Sequence, residues 1–310
     1  MQSVLLILPD FLIILLGAFI SHVLKYPREF WKYTEKLVFY VLFPPLLFLS
    51  VSGAHLSLSE ASQFLLVGIG AMLLAVVSSW LIRYVAPEDG VTNASVFQCG
   101  FRFNTYIGFA LCLKLYGDPG FSLLALLIAV WVPISNTIAV AVLATAVSKS
   151  VNKEKKIQPS YVIKTVLKNP LIIATVLGLV FNVAQWELPQ VGTSLFRSLG
   201  NASLAVGLLC IGSSLQLHDL KRYSRLLLTC TVQRLVVVPI IALGVGVLMG
   251  LPVLETMVLV LFGALPTAQS CYVMTSSMGG NATAVADVTT VHTLASMVTL
   301  PVWVAIYLMP

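Results

Sequence analysis

Charge is what this sequence has least of. Of its 310 residues 10% are charged and 58% are hydrophobic. Soluble domains carry about 25% charged residues, so soluble all-β and α/β folds are excluded. Alternating polar and apolar strands are also missing. The apolar runs are continuous over about twenty residues, which excludes a transmembrane β-barrel and suits helices that cross a bilayer. No polar stretch is long enough for a soluble domain; the longest is "SKSVNKEKKIQPSY", residues 148–161. The five cysteines, Cys99, Cys112, Cys210, Cys230 and Cys271, form no CxxC pair and all sit in apolar runs. They read as small buried residues with no disulfide or metal role. Residues 1–24 lack a basic leader and read as a first membrane helix, not a cleaved signal peptide. No GxSxG, HExxH, Walker A or paired-aspartate motif lies in a span, which argues against an enzyme and against an ATP-driven pump. No cofactor and no nucleic-acid partner are expected.

What is present is an all-α membrane protein. Ten hydrophobic spans fall at about 4–24, 35–53, 61–83, 92–116, 120–148, 164–184, 193–217, 225–250, 255–279 and 282–308. Fourteen of the 18 Lys and Arg residues flank the loops after spans 1, 3, 5 and 7. Lys114 and Arg197 fall on the other side, and Arg102 and Arg234 lie inside spans. The positive-inside rule then places the basic linker in the cytoplasm and both termini outside. An integral protein of the cytoplasmic (inner) membrane is expected.

Landmarks recur in the two halves. Pro9 and Gly17 are eight apart, as are Pro170 and Gly178, at a shift of 161 residues. Gly100 and Gly117 are seventeen apart, as are Gly263 and Gly280, at a shift of 163. Each half has an odd number of spans, so the second must enter the membrane from the opposite side. The expectation is two inverted five-helix repeats, 1–148 and 164–310, joined by a cytoplasmic linker at 149–163.

Two spans look broken. Arg102 lies roughly 15 Å deep in span 4, half of a ~30 Å hydrocarbon core. A central arginine costs about 2.5–3.5 kcal/mol to insert unless something offsets it. Asn104 and Thr105 are poor interior residues and good N-caps. A helix ending near Arg102 and another starting after Asn104 accounts for all three. The matching place in span 9 is "GALPTAQSCY", residues 263–272, where Pro266 breaks the helix and Thr267 can cap a second half-helix carrying Gln269 and Ser270. Both second half-helices would point their positive N-termini at the midplane. With Arg102 they form an expected site for an anion such as a carboxylate. Asn136 in span 5 is a further candidate for the site. Pro44, Pro45, Pro133, Pro239 and Pro301 are expected to kink their helices. Thr137, Thr289, Thr290 and Thr293 read as helix-to-helix or helix-to-backbone glue. Arg234 and Asp287 lie at similar depth and are expected to pair as ions, while Asp287 or His292 is the alternative proton carrier. Asp10 reads as an interfacial residue.

The stretches "FRFNTYIGFAL" (101–111), "KLYG" (114–117), "LKNPLIIATVLGL" (167–179), "LLCIGSSL" (208–215), "LPTAQSCYVMTSSMGGN" (265–281) and "TLPVW" (299–303) together resemble the auxin efflux carrier family. That family includes plant auxin carriers and bacterial permeases for malonate- and malate-type carboxylates. The resemblance covers nearly the whole chain. It implies ten helices in two inverted repeats, crossed broken helices 4 and 9, organic-anion transport, a homodimer and an elevator motion. Bulky Tyr106 and Phe109 stand where bacterial relatives often carry a smaller glycine and a proline, and are expected to reshape the pocket. The competing expectation is a sodium-coupled symporter resembling bile-acid carriers. Sodium prefers oxygen ligands that include carboxylates, and the broken parts of spans 4 and 9 have none.

Overall fold

A computed structural model describes residues 2–53, 58–151, 170–216 and 220–308. The central basic linker beyond residue 151, the start of the sixth span, His55 and His218 lie outside the described residues. No strand occurs among the described residues. The helices are α1 (Gln2–His22), α2 (Arg28–Leu37), α3 (Phe43–Ser52), α4 (Leu58–Val85), α5 (Gly90–Phe97) and α6 (Thr105–Val151). They continue as α7 (Pro170–Val183), α8 (Gln190–Ser213), α9 (Ser224–Val232), α10 (Val238–Leu248), α11 (Val253–Ala264), α12 (Ser270–Ser277) and α13 (Ala282–Trp303). Every sequence-predicted span is helical over most of its described residues. Among the described residues, six continuous helical stretches are long and apolar enough to cross a membrane, and further apolar helices are shorter. The outward side chains include Leu12, Leu16, Phe19, Leu66, Val77, Leu177 and Leu248. An apolar exterior of this extent suits lipid and not water, so the chain is an integral membrane protein.

Prolines set the local geometry, and π-helical turns accompany several of them. π-helical turns at Val38–Leu42 and Gln233–Val237 stand directly before Pro44–Pro45 and Pro239. A proline ring clashes with the carbonyl four residues back and supplies no N–H to it. A wider turn relieves the clash and leaves a carbonyl free. Trp303 Nε1 donates to the one freed at Leu235, at 2.9 Å. A third π-turn, Val304–Leu308, follows Pro301. Gly117, with φ 60° and ψ −157°, makes the reversal between spans 4 and 5 inside α6; a side chain there would be strained.

Packing sorts the helices into two groups. One contains α1, α2, α3, α7 and α8, with α1 against α8 and α3 against both α7 and α8. The other contains α4, α5, α6 and α9 to α13, with α10 between α4 and α11, and α13 against α5, α9 and α12. Lipid tails are as apolar as leucine, so close van der Waals contact must hold such helices together, and small residues permit it. Gly17 of α1 lies on the backbone of α8 at Leu209, and Gly212 of α8 lies on α1 at Ile14 and Ala18. Gly178 of α7 meets α3 in the same way, a Cβ there falling 2.9 Å from the Phe48 carbonyl oxygen. The two groups touch chiefly along α6. Asp10, read above as interfacial, is buried and paired with Lys114 of α6 at 2.6 Å. The five cysteines are buried, as expected.

Candidate functional site

The site begins with helix ends. Asp89 starts α5, its Oδ1 accepting from the Val91 and Thr92 amides at 3.0 Å each. Partial burial opposes its charge, but these bonds prevail and hold its carboxyl below the usual range. The helix gives way at Phe97 to a tight 3₁₀ turn over Gln98–Gly100, and the chain is unwound until Thr105. Asn104 is the N-cap of α6: its Oδ1 accepts from the amides of Tyr106 (3.1 Å) and Ile107 (3.3 Å). The predicted break and cap are therefore in place. In the second half α11 ends at Ala264 and Leu265 is extended, the conformation that a following proline imposes. Helix α12 then starts at Ser270.

The two unwound segments touch. Asn104 N–H donates to the Pro266 carbonyl at 2.8 Å, and the Thr267 hydroxyl donates to the Cys99 carbonyl at 2.5 Å. Other carbonyls released by the breaks are also occupied. Trp131 Nε1 donates to Phe101 O at 3.1 Å. Arg234 donates through Nε to Leu265 O at 2.8 Å and through Nη2 to Phe262 O at 3.2 Å. Irregular backbone at membrane depth survives only when such groups are satisfied inside the protein.

Arg102 lies at this meeting point and is 7% exposed. Its Nη1 donates to Gln98 Oε1 at 2.5 Å, and its Nη2 to Ser270 Oγ at 2.8 Å. Met274 Sδ lies 3.7 Å from Nη1. All of these partners are neutral. Among the described residues no carboxylate lies within 4 Å of the guanidinium, so its charge is held in place without being cancelled.

Two small cavities flank the junction. One, of about 190 Å³, is lined by Arg102, Thr105, Ser135 and Asn136 of the second helix group and by Phe39 and Thr175 of the first. The other, of about 140 Å³, is lined by Asn104, Tyr106, Gln269, Glu35 and Phe43. They share Phe39, Phe103, Thr105, Leu171, Ala268 and Ser270. The starts of α6 and α12 face this space, which adds the positive ends of two helices to the arginine. A confined, mostly apolar space with a fixed cation and a few hydroxyl and amide groups is suited to a small anion.

Several expectations need correction. Pro266 and Thr267 are buried behind the junction and line neither cavity. Thr267 does not cap α12; Gln269 holds the cap position without a capping bond. The single hydroxyl proton of Thr267 goes to a carbonyl, which only accepts, so His292 Nδ1, 2.7 Å away, donates to Thr267. His292 is thus a buried structural partner of the junction. Arg234 and Asp287 are fully buried at similar depth, yet Arg234 meets carbonyls and no ion pair joins the two. Phe109 lines neither cavity; it stacks on Phe121 with centroids 4.4 Å apart. Tyr106 does shape the pocket and packs edge-on to Phe43 at 5.3 Å. Thr289 and Thr293 bond their own helix, while Thr290 accepts from Gln216 N and donates to Gln216 O, tying α13 to the end of α8. Sequence reasoning missed Gln98, Thr175, Glu35 and Phe39. Gln98 had a signal: it stands four residues before Arg102, on one helical face.

An apolar helical exterior, two helices unwound within it and a cationic cavity between two helix groups define a membrane transport protein. The family model described as "Membrane transport protein" matches residues 3–304. The chain therefore belongs to that family, the auxin efflux carrier family of membrane transporters. Similar proteins include the uncharacterised transporter YfdV of Escherichia coli strain K12, 24% identical over 96% of this chain and 95% of the relative. The YfdV of Shigella flexneri is similar to the same degree and over the same shares.

Proposed function

We propose that this protein is a secondary carrier, or a facilitated permease, for small organic anions, most specifically carboxylates. The observation that carries the reading is the buried Arg102 guanidinium, held by Gln98 and Ser270 and facing a cavity without a neutralising carboxylate. Arg102 receives the carboxylate; Asn104, Thr105, Asn136, Gln269 and Ser270 supply hydrogen bonds and dipoles; Pro266 and Thr267 hold the junction from behind. Ten spans in two inverted repeats cross at the broken helices 4 and 9. Support comes from the paired glycines: Gly17 and Gly178, equivalent in the two halves, each seat their helix on a neighbour's backbone. The basic linker faces the cytoplasm, both termini face outward, and the membrane is the inner one.

Because the cavity lies between two separately packed helix groups, sliding one group past the other would expose the anion alternately to each side. This is an elevator-like form of alternating access. A thermal-shift screen of purified protein with mono- and dicarboxylates tests the substrate class. Binding to the native state raises the apparent melting temperature by mass action. The expected result is stabilisation by at least one carboxylate and none by neutral sugars or amines, with equal uptake into proteoliposomes in sodium and potassium buffers. Sodium-dependent uptake would favour the symporter resembling bile-acid carriers instead.

A further inference from the structure

Glu35 occupies the neck between two cavities. It lines the 140 Å³ cavity at the junction, beside Gln269 and Asn104. It also lines a larger vestibule of about 570 Å³ with His22, Arg28 and Lys32. It is half-buried on α2. Among the described residues no hydrogen bond and no ion pair within 4 Å engages its carboxylate. Arg28 and Lys32, seven and three residues earlier on the same helix, remain in the vestibule. A structural carboxylate would cap a helix or hold a cation, and this one does neither.

The titratable and charged groups facing it are few. From α1 comes His22, whose ring contacts the Leu215 carbonyl at 2.9 Å. Tyr26 follows α1, and Arg28 and Lys32 belong to its own helix. From α6 comes Tyr106 and from α8 Cys210, both near enough to feel the Glu35 charge. The short connection before α12 contributes Gln269, which is neutral. No fixed cation is thus bonded to Glu35 on the path from the vestibule to Arg102.

An anion held by Arg102 lies in the cavity next to the one that Glu35 lines, and the two cavities share Phe103, Thr105, Ala268 and Ser270. In a confined, mostly apolar space two negative charges repel more strongly than in bulk water, because the effective dielectric is lower. When two carboxylates share one confined site, one of them carries a proton. We propose that Glu35 is a proton-binding site linked to substrate: it takes up a proton as an anion occupies the adjoining Arg102 cavity. The inference rests on the anion reading above and adds the coupling ion to it.

Titration calorimetry on the full chain in detergent tests it, with malonate, sulfate and alanine as probes. Each is run near neutral pH in buffers of different ionisation enthalpy, so that the slope counts protons. The wild type is expected to take up about one proton per malonate bound, and Glu35→Gln to bind malonate with none. Glu35→Asp should restore the uptake and His22→Gln should keep it. Proton uptake that persists in Glu35→Gln, or wild-type malonate binding with no uptake, overturns the proposal. Failure of Glu35→Gln to fold does so as well, since an unpaired carboxylate holds nothing together. If sulfate binds with Glu35-dependent proton uptake and malonate does not bind, Glu35 stands and the carboxylate reading falls. Binding of alanine alone, with no proton, overturns both by showing that an ammonium group meets Glu35. A wild type that binds none of the three contradicts both.

Discussion

Arg102→Ala is expected to weaken carboxylate binding by about 100-fold or more while leaving the unliganded protein folded. The first part follows from what the side chain offers. Removing one partner of a buried, hydrogen-bonded charge pair costs about 2–5 kcal/mol, and each 1.4 kcal/mol is about tenfold in affinity. The second part follows from what Arg102 lacks. Its protein partners are the neutral Gln98, Ser270 and Met274, so the substitution strands no buried carboxylate. Losing an uncompensated buried cation is expected to leave the apparent melting temperature of the apo protein unchanged or slightly raised. Arg102→Lys separates charge from shape. A lysine keeps the positive charge and loses the planar fork that reaches Gln98 and Ser270 together, so it should recover only part of the affinity. Calorimetry of the three proteins with one carboxylate measures this. Wild-type affinity in Arg102→Ala would remove the arginine from the site.

Gly212→Leu is expected to abolish the folded protein. A Cβ at this position would run into the backbone of α1 at the Ile14 carbonyl, and the Ala18 amide nitrogen would lie 2.7 Å away. No flexible side chain is there to move aside, so α1 and α8 would have to separate. Over-packing of this kind costs about 3 kcal/mol, and van der Waals contact between these helices is the main force joining them. Gly244→Leu is the matched control, because nothing lies within 4 Å of a Cβ there. Monodisperse yield and melting temperature after detergent extraction should collapse for the first and hold for the second.

The apolar helices, both breaks and the Asn104 cap were legible in the sequence because each depends on residue types in a simple linear pattern. A charge in the middle of an apolar run, a cap residue after it and a proline inside a second such run are one-dimensional signals. Direction around a helix is not. Thr267 follows a helix-breaking proline and was expected to cap, yet its hydroxyl faces Cys99 and His292. Arg234 and Asp287 share a depth, but Arg234 points to the carbonyls of Phe262 and Leu265 at the end of α11. Phe109 stands three residues from Tyr106 and turns into the core against Phe121, whereas Tyr106 stays at the cavity. Glu35 carried no signal, because a charge at the start of a span reads as interfacial. Only tertiary packing brings the end of α8 and the start of α12 alongside it.

The most direct test of the central claim is where a bound carboxylate sits. A cryo-EM map of the protein with the best-binding carboxylate from the thermal-shift screen would locate it. The account predicts density between Arg102, Ser270 and Asn136, with a carboxylate oxygen about 2.7–2.9 Å from the guanidinium, the usual length of a charge-assisted hydrogen bond. Density elsewhere would contradict it, for instance in the cavity of about 620 Å³ beside Arg83 and Lys149, with the Arg102 cavity left empty.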